Sequence, residues 1–139
     1  MKIIEIDFNR DSQILQEYLD KLGDEKKKFR YFNTRDLSVI KNHLVTLLVI
    51  ENEIPIGYGH LDLFDDTVWL GVSVQFQQQG KGVGNYLIES LLNKARKLNL
   101  KEITLTVDLN NKIAQNLYKK FNFIMFDENH LYRSYKLFL

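Results

Sequence analysis

Val72-Ser73-Val74-Gln75-Phe76-Gln77-Gln78-Gln79-Gly80-Lys81-Gly82-Val83-Gly84-Asn85 is the stretch on which the fold of this chain turns. Its first three residues read as the end of a strand, and Gln75 to Gln79 read as a short loop. The spaced glycines then open into an amphipathic helix, because Val83, Leu87, Leu91, Ala95 and Leu98 fall at helical spacing, supported by Ile88 and Leu92. A glycine-rich turn between a strand and a helix N-terminus is an anion site. Its N–H groups have no intrahelical partners, and the positive end of the helix dipole favours phosphate. Glycine there lets the backbone approach a ligand with no Cβ in the way.

Two common phosphate motifs fail on spacing. A P-loop needs G-x-x-x-x-G-K-[ST], but position 75 is Gln, and Gly82 rather than Ser or Thr follows Lys81. The dinucleotide fingerprint G-x-G-x-x-G, started at Gly80, needs glycine where Asn85 stands. It also expects its strand near the start of a parallel sheet, whereas antiparallel strands are predicted first here. Gln79, Gly82 and Gly84 resemble the Q/R-x-x-G-x-G/A signature of the GNAT family of N-acetyltransferases. Downstream, Asn111, Ala114, Leu117, Tyr118 and Phe123 resemble that family's second cofactor segment, N-x-x-A-x-x-L-Y followed by a Phe. The two segments together, in order, carry the resemblance.

Length and composition agree with it. At 139 residues the chain fits one domain, 1–139, with a core large enough to need no staples. With no cysteine, disulfides, thiolate metal sites and cysteine nucleophiles are excluded. His43, His60 and His130 have no ligand-like spacing, so no metal is expected. A net charge of +1 gives no electrostatic footprint for nucleic acid. Met1 to Asp7 has neither the charged nor the apolar region of a signal peptide. The apolar run Leu44 to Ile50 is too short to span a bilayer. A cytoplasmic protein with no membrane partner, monomer or homodimer, is expected.

The remaining elements follow from pattern. Lys2 to Asp7 reads as a strand, and Asn9 or Asp11 as the cap of a helix carrying Ile14, Leu15, Tyr18, Leu19 and Leu22, with Gly23 past its end. Glu25 to Asn42 reads as a second helical region, broken near Asn33-Thr34. Leu44 to Ile50 reads as a strand covered on both faces. Ile56 to Leu63 and Thr67 to Val74 read as a hairpin across Asp65-Asp66. Beyond the glycine helix, ended by Asn99, come a strand over Glu102 to Val107 and a helix capped by Asn110 or Asn111. Strands over Phe123 to Phe126 and Leu131 to Phe138 close the chain. The order β-α-α-β-β-β-α-β-α-β-β predicts an α/β (mixed α+β) fold, with a mixed sheet of about seven strands and helices on both faces. That is also the acyl-CoA N-acyltransferase fold the resemblance implies. Where the family has glycine after the tyrosine helix this chain has Asn122, the next most tolerant residue at a positive φ.

The resemblance implies acetyl-CoA as cosubstrate and an amine acceptor. The implied cofactor residues are Val72, Val74, Gln79, Gly80, Lys81, Gly82, Val83, Gly84, Asn85, Asn111 and Tyr118. A backbone N–H near Val74 would stabilise the oxyanion, and Tyr118 would be the general acid. Asn111 reads both as a helix cap and as a pantetheine contact. Some family members place a carboxylate where this chain has Thr106, which cannot serve as a base. His60 shares a predicted strand face with Tyr58 and Asp62 and is the candidate base, against an alternative as a packing residue. Of the glutamine triplet, only Gln79 matches a motif position, and Gln77 and Gln78 read as surface. Phe29, Tyr31 and Phe32 read as core or as the wall of an acceptor pocket. The leading function is N-acetylation of a primary amine on a small molecule. An acyl-CoA sensor without turnover and a protein N-terminal acetyltransferase are the alternatives.

Overall fold

The apolar run Leu44 to Ile50 lies inside strand β2 (His43–Glu51), and its alternate residues serve two cores. In the computed structural model, which describes residues 1–139, Val45, Leu47 and Val49 join one cluster, while Leu48 and Ile50 join another. Side chains alternate across a strand, so the clusters lie on opposite faces of the sheet. That explains why the run reads as continuously apolar.

The other strands are β1 (Lys2–Glu5), β3 (Ile54–Phe64), β4 (Thr67–Val74), β5 (Glu102–Asp108), β6 (Ile124–Glu128) and β7 (Tyr132–Phe138). They form one seven-stranded sheet in the order β1-β2-β3-β4-β5-β7-β6. Every pairing is antiparallel except β4 with β5. Helix α1 (Phe8–Asp20) supplies Leu15, Tyr18 and Leu19 to the second cluster. Helices α2 (Val83–Lys97) and α3 (Lys112–Lys120) cover the opposite face and belong to the first. The expected mixed sheet with helices on both faces is what forms.

Close approach of α2 depends on Gly57 and Gly59 of β3. A Cβ at Gly57 would stand 2.7 Å from Val83 Cγ1, and one at Gly59 would stand 2.9 Å from Leu91 Cδ1. The first two β-hairpins turn on residue pairs with both φ values positive, Asn52-Glu53 and Asp65-Asp66, as a primed turn requires. Asn99 (φ 59°) and Asn122 (φ 71°) end the last two helices in the left-handed conformation expected of them.

Three expectations need correction. The cap of α1 is Asp7, not Asn9 or Asp11, because β1 ends at Glu5 and frees Asp7 to accept from Asn9 N–H and Arg10 N–H. Asp11 instead reaches back to accept from Asp7 N–H at 2.9 Å. Residues 25–42 are not a helix. Short 3-10 turns at Gly23–Lys27 and Leu37–Asn42 flank an irregular stretch whose aromatic residues pack one after another onto the sheet. Gly23 (φ 56°) opens the first of these turns and does not close α1, whose C-cap is Lys21.

Candidate active site

The site begins where β4 and β5 part. Their parallel ladder registers only Trp69 with Thr104, so the strands diverge toward Val74. Gln75 N–H donates to Ile56 O, which makes that pair hydrogen-bonded across β3 and β4. Antiparallel pairs alternate, so Val74 (opposite Gly57) and Val72 (opposite Gly59) turn their N–H and C=O groups away from β3. Both amides therefore face the gap beside β5. The carbonyl of Val74 accepts from Gln79 Nε2 at 3.4 Å, which folds the following loop back against the opening.

The glycine loop stands at the mouth of that gap. Gly80 (φ 77°) and Gly82 (φ 85°) hold left-handed conformations, and a Cβ at either would meet nothing within 4 Å. Gly82 is the N-cap of α2 and lacks a side-chain cap, so the first N–H groups of the helix are left for a ligand. Lys81 is exposed beside them. Val83 is buried in the first cluster. Gly84 has a structural role: a Cβ there would stand 2.9 Å from Leu117 Cδ2, so its absence lets α3 pack on α2. Two buried oxygens with no partner flank the loop, Gln78 Oε1 and Asn85 Oδ1. Buried acceptors without donors are costly, and a ligand carrying N–H or O–H groups would satisfy them. Reading Gln78 as surface missed this, since nothing in the sequence marks which glutamine turns inward. Gln77 is the exposed one.

Asn111 caps α3 by accepting from Ala114 N–H at 3.3 Å. Tyr118, in the last turn of that helix, is 7% exposed and packs edge-on against Phe123. Burial pushes its hydroxyl pKa up to about 12, and no charged or hydrogen-bonded neighbour contributes. The phenol is therefore protonated and free to donate.

His60 is less accessible than its strand pattern implies. It is 2% exposed, its Nδ1 lies 2.7 Å from Tyr58 Oη, and its ring is covered by Tyr31 and His43. It does share a face with Tyr58 and Asp62, and it stands over its register partner Gly71, where a Cβ would lie 2.5 Å from Nε2. Burial holds the imidazole well below its ordinary pKa, and nearby His43 and Arg35 push it further down. Desolvation thus opposes titration near neutrality, expected of an ordinary histidine.

His43 belongs to the same polar group. Tyr31 Oη donates to Asp62 Oδ2 at 2.9 Å and lies 2.7 Å from His43 Nε2, while His43 Nδ1 meets Thr46 Oγ1 at 2.9 Å. Burial lowers the pKa of His43 to about 4, against the opposing pull of Asp62. Both histidines are neutral when folded but charge readily when unfolded, near ~6.5. The unfolded chain thus binds more protons below that value, so stability is full above it and falls as pH drops toward 4. Unfolding is expected to take up about two protons between about pH 4.5 and 6, measured by urea denaturation across a pH series. Stability that stays flat from pH 7 to about 5 would show that these histidines titrate normally.

The irregular segment after α1 closes the other side of the gap. Arg30 donates both guanidinium ends to Asp108, at 2.9 Å each, and so ties this segment to the end of β5. Glu25, the one carboxylate among the buried residues, accepts from Gln79 Nε2 at 3.1 Å. Phe29 and Phe32 pack against Tyr58 as part of the second core. Thr106 is exposed on β5.

A splayed parallel strand pair, with a glycine loop and a free helix N-terminus at its mouth, defines the acyl-CoA N-acyltransferase fold. Residues 10–123 match the model of the acetyltransferase (GNAT) family, and the chain belongs to that family. No curated protein matches it in sequence at a significant level. Among solved structures, it is similar to the GNAT domain of S. lividans PAT, with TM-score 0.83, 16% identity and 99% and 89% of the two chains covered. It is similar to yncA from Salmonella typhimurium, solved with its cofactor acetyl-CoA, with TM-score 0.72, 18% identity, and 99% and 93% covered. The paia N-acetyltransferase from Thermoplasma acidophilum, in complex with coenzyme A, superposes with TM-score 0.76, 15% identity, and 99% and 98% covered. At these identities the likeness is one of fold.

Proposed function

We propose that the 139 residues act as one domain that transfers the acetyl group of acetyl-CoA to a primary amine on a small molecule, in a ternary complex. The observation that carries this is the pair of β4 amides, Val72 and Val74, turned into the gap whose mouth is the free N-terminus of α2. Gly80, Gly82 and the first N–H groups of α2 would hold the pyrophosphate, and Gln78 Oε1 and Asn85 Oδ1 would accept from the same ligand. Lys81 adds a cation near the phosphates. Asn111 would meet the pantetheine arm.

The amine nitrogen attacks the thioester carbonyl, forming C–N while C–S breaks. A β4 amide aimed at the carbonyl oxygen stabilises the developing oxyanion, by roughly 3 kcal/mol for one fixed donor. Tyr118 donates its proton to the departing thiolate, and the proton lost by the amine leaves through solvent or His60. The dry surroundings that raise the pKa of Tyr118 also raise the proton affinity of the thiolate, which keeps the transfer matched.

His60 enters only as the neutral imidazole, with Nε2 above Gly71. His60→Gln should therefore lower turnover by the same factor across about pH 6 to 8, with the acetyl-CoA constant unchanged. A loss confined to the neutral region would mean that His60 titrates there and is not desolvated. Unchanged turnover would make it a packing residue.

The function itself is tested by following free thiol from acetyl-CoA across a panel of amino sugars, polyamines, amino acids and peptide N-termini. Acceleration by a small amine is the expected result. Acceleration only by peptides would overturn the small-molecule reading. Acetyl-CoA binding with no acceptor active would favour a sensor without turnover, although binding alone does not need a phenol at the sulfur.

A further inference from the structure

The gap between β4 and β5 has two banks, and the reacting groups are divided between them. The β4 bank runs through the glycine loop into α2, so the Val72 and Val74 amides and the phosphate site belong to one continuous stretch of chain. The β5 bank runs into α3, where Asn111 is the cap and Tyr118 lies in the last turn. The ladder between the two strands registers only Trp69 with Thr104, well before Val74. Backbone pairing therefore does not set the width of the gap at its open end.

On the α2 and α3 side the banks share the first core, and Leu117 packs against Gly84. On the α1 side the second core contains no residue of β5, so apolar packing does not hold that strand there. What joins the banks on this side is a strap, residues 25–30. At its first residue, Glu25 accepts from Gln79 Nε2 at 3.1 Å, and the same nitrogen lies 3.4 Å from Val74 O. At its last, Arg30 donates to both carboxylate oxygens of Asp108, at 2.9 Å each, where β5 ends. The strap is braced from within, because Lys28 N–H and Phe29 N–H both donate to Glu25 O and Arg30 Nη1 donates to Lys27 O. Phe29 seats it on Tyr58, with ring centroids 5.4 Å apart.

Asp108 is a junction. Its carbonyl accepts from Gln115 Nε2 at 2.9 Å, and that nitrogen also donates to Leu109 O. Gln115 is buried on α3, three residues before Tyr118. The carboxylate of Asp108 thus meets the strap, while its main chain fixes the helix that carries the phenol. The two ends of the strap are unequal. On the β4 bank, Tyr18 Oη lies 2.9 Å from Ser73 Oγ, and Gln75 Nε2 donates to Tyr18 O at 3.0 Å, both buried, so that bank is fastened to α1 as well. The β5 end depends on one ion pair, whose arginine side chain is 56% exposed.

We infer that Arg30 and Asp108 are positioning residues, whose ion pair holds the β5 bank, and with it Tyr118, at the distance from the β4 amides that acetyl transfer requires. The inference rests on the transfer reading and deepens it. Neither residue touches the reacting atoms. An exposed ion pair contributes little to stability. A displacement of about 1 Å at a reacting group, however, costs up to ~10² in rate. The pair therefore matters to turnover far more than to folding. Coenzyme A is held by its phosphates on the β4 bank and is indifferent to it.

The test is steady-state thiol release with the best acceptor of the amine panel, beside the coenzyme A dissociation constant by calorimetry, on the full chain. Arg30→Met should lower turnover roughly 10- to 100-fold, with the dissociation constant and circular dichroism unchanged. Asp108→Asn, which keeps the shape of the side chain, should match it, and the double variant should lose no more than either one. In a Tyr118→Phe background, Arg30→Met should cost little, because the group it positions is already gone. Glu17→Gln, which breaks an exposed pair with Lys21 on α1, should leave both measurements as in wild type. If Arg30→Met fails to fold, Asp108→Asn decides. Full turnover in both single variants would overturn the inference and leave the transfer reading intact. So would a loss explained by weaker coenzyme A binding, or one of equal size in the Tyr118→Phe background. A wild type that releases no thiol with any amine would instead remove the transfer reading, and this inference with it.

Discussion

Tyr118→Phe is expected to lower turnover roughly 10²–10⁴-fold, the scale of one general acid, while the protein folds and binds acetyl-CoA as before. The ring stays packed against Phe123 on α3, and only one oxygen is removed. Nothing in the protein bonds or charges that hydroxyl, since burial alone accounts for its raised pKa. Deleting it should therefore change stability by no more than about 1 kcal/mol, the worth of one ordinary hydrogen bond. The loss should fall on turnover more than on the Michaelis constant, because the contact strengthens only as the thiolate develops. Steady-state thiol release with a good acceptor amine, wild type beside variant, makes the comparison. Equal turnover would remove Tyr118 from the mechanism even with the cofactor site intact.

The parts of the protein legible in the sequence are those fixed by local chemistry. Asp65-Asp66, Asn99 and Asn122 all adopt positive φ because short polar side chains tolerate it, and each marks an element boundary in the right place. The glycine run and the Asn111 cap are legible for the same reason, since a helix start must leave N–H groups to be satisfied. Residues 25–42 were not legible, because Phe29, Tyr31 and Phe32 cluster on one another and on Tyr58 and His60 across the fold, a packing that no local spacing describes. His60 shows the same limit. Its strand face follows from alternation, but its burial under Tyr31 and His43, and so its lowered pKa, depends on a segment distant in sequence. Gly84 matched a cofactor motif, yet its missing Cβ makes room for Leu117, a contact that only the packed helices reveal. The exposure of Ile124, Phe126 and Phe138 was equally hidden, because a strand pattern does not say which half of a sheet lacks a helix.

Gly82→Val is expected to abolish the stabilisation that acetyl-CoA gives the wild type. A ligand that binds only the folded state adds ~2.7 kcal/mol at a hundredfold excess over its dissociation constant. For a chain of this length that raises the melting temperature by roughly 8 °C. Gly82 holds φ 85° at the N-cap of α2, a conformation that is a true outlier for a β-branched residue. Valine must therefore either strain the turn or rotate the adjoining peptide, and rotation swings the amides away from the phosphates. Its side chain also fills the open space through which the backbone is reached. Strain alone would lower the melting temperature without touching the ligand, so Gly23→Val is the matched control. Gly23 also has a positive φ (56°) and open surroundings, but it lies outside the glycine loop. That variant should melt earlier yet keep the full acetyl-CoA shift, whereas Gly82→Val should lose it. A wild type whose melting temperature ignores millimolar acetyl-CoA would sink the cofactor reading. A normal shift in Gly82→Val would instead show that the phosphates are held by side chains such as Lys81, and not by the amides at the start of α2.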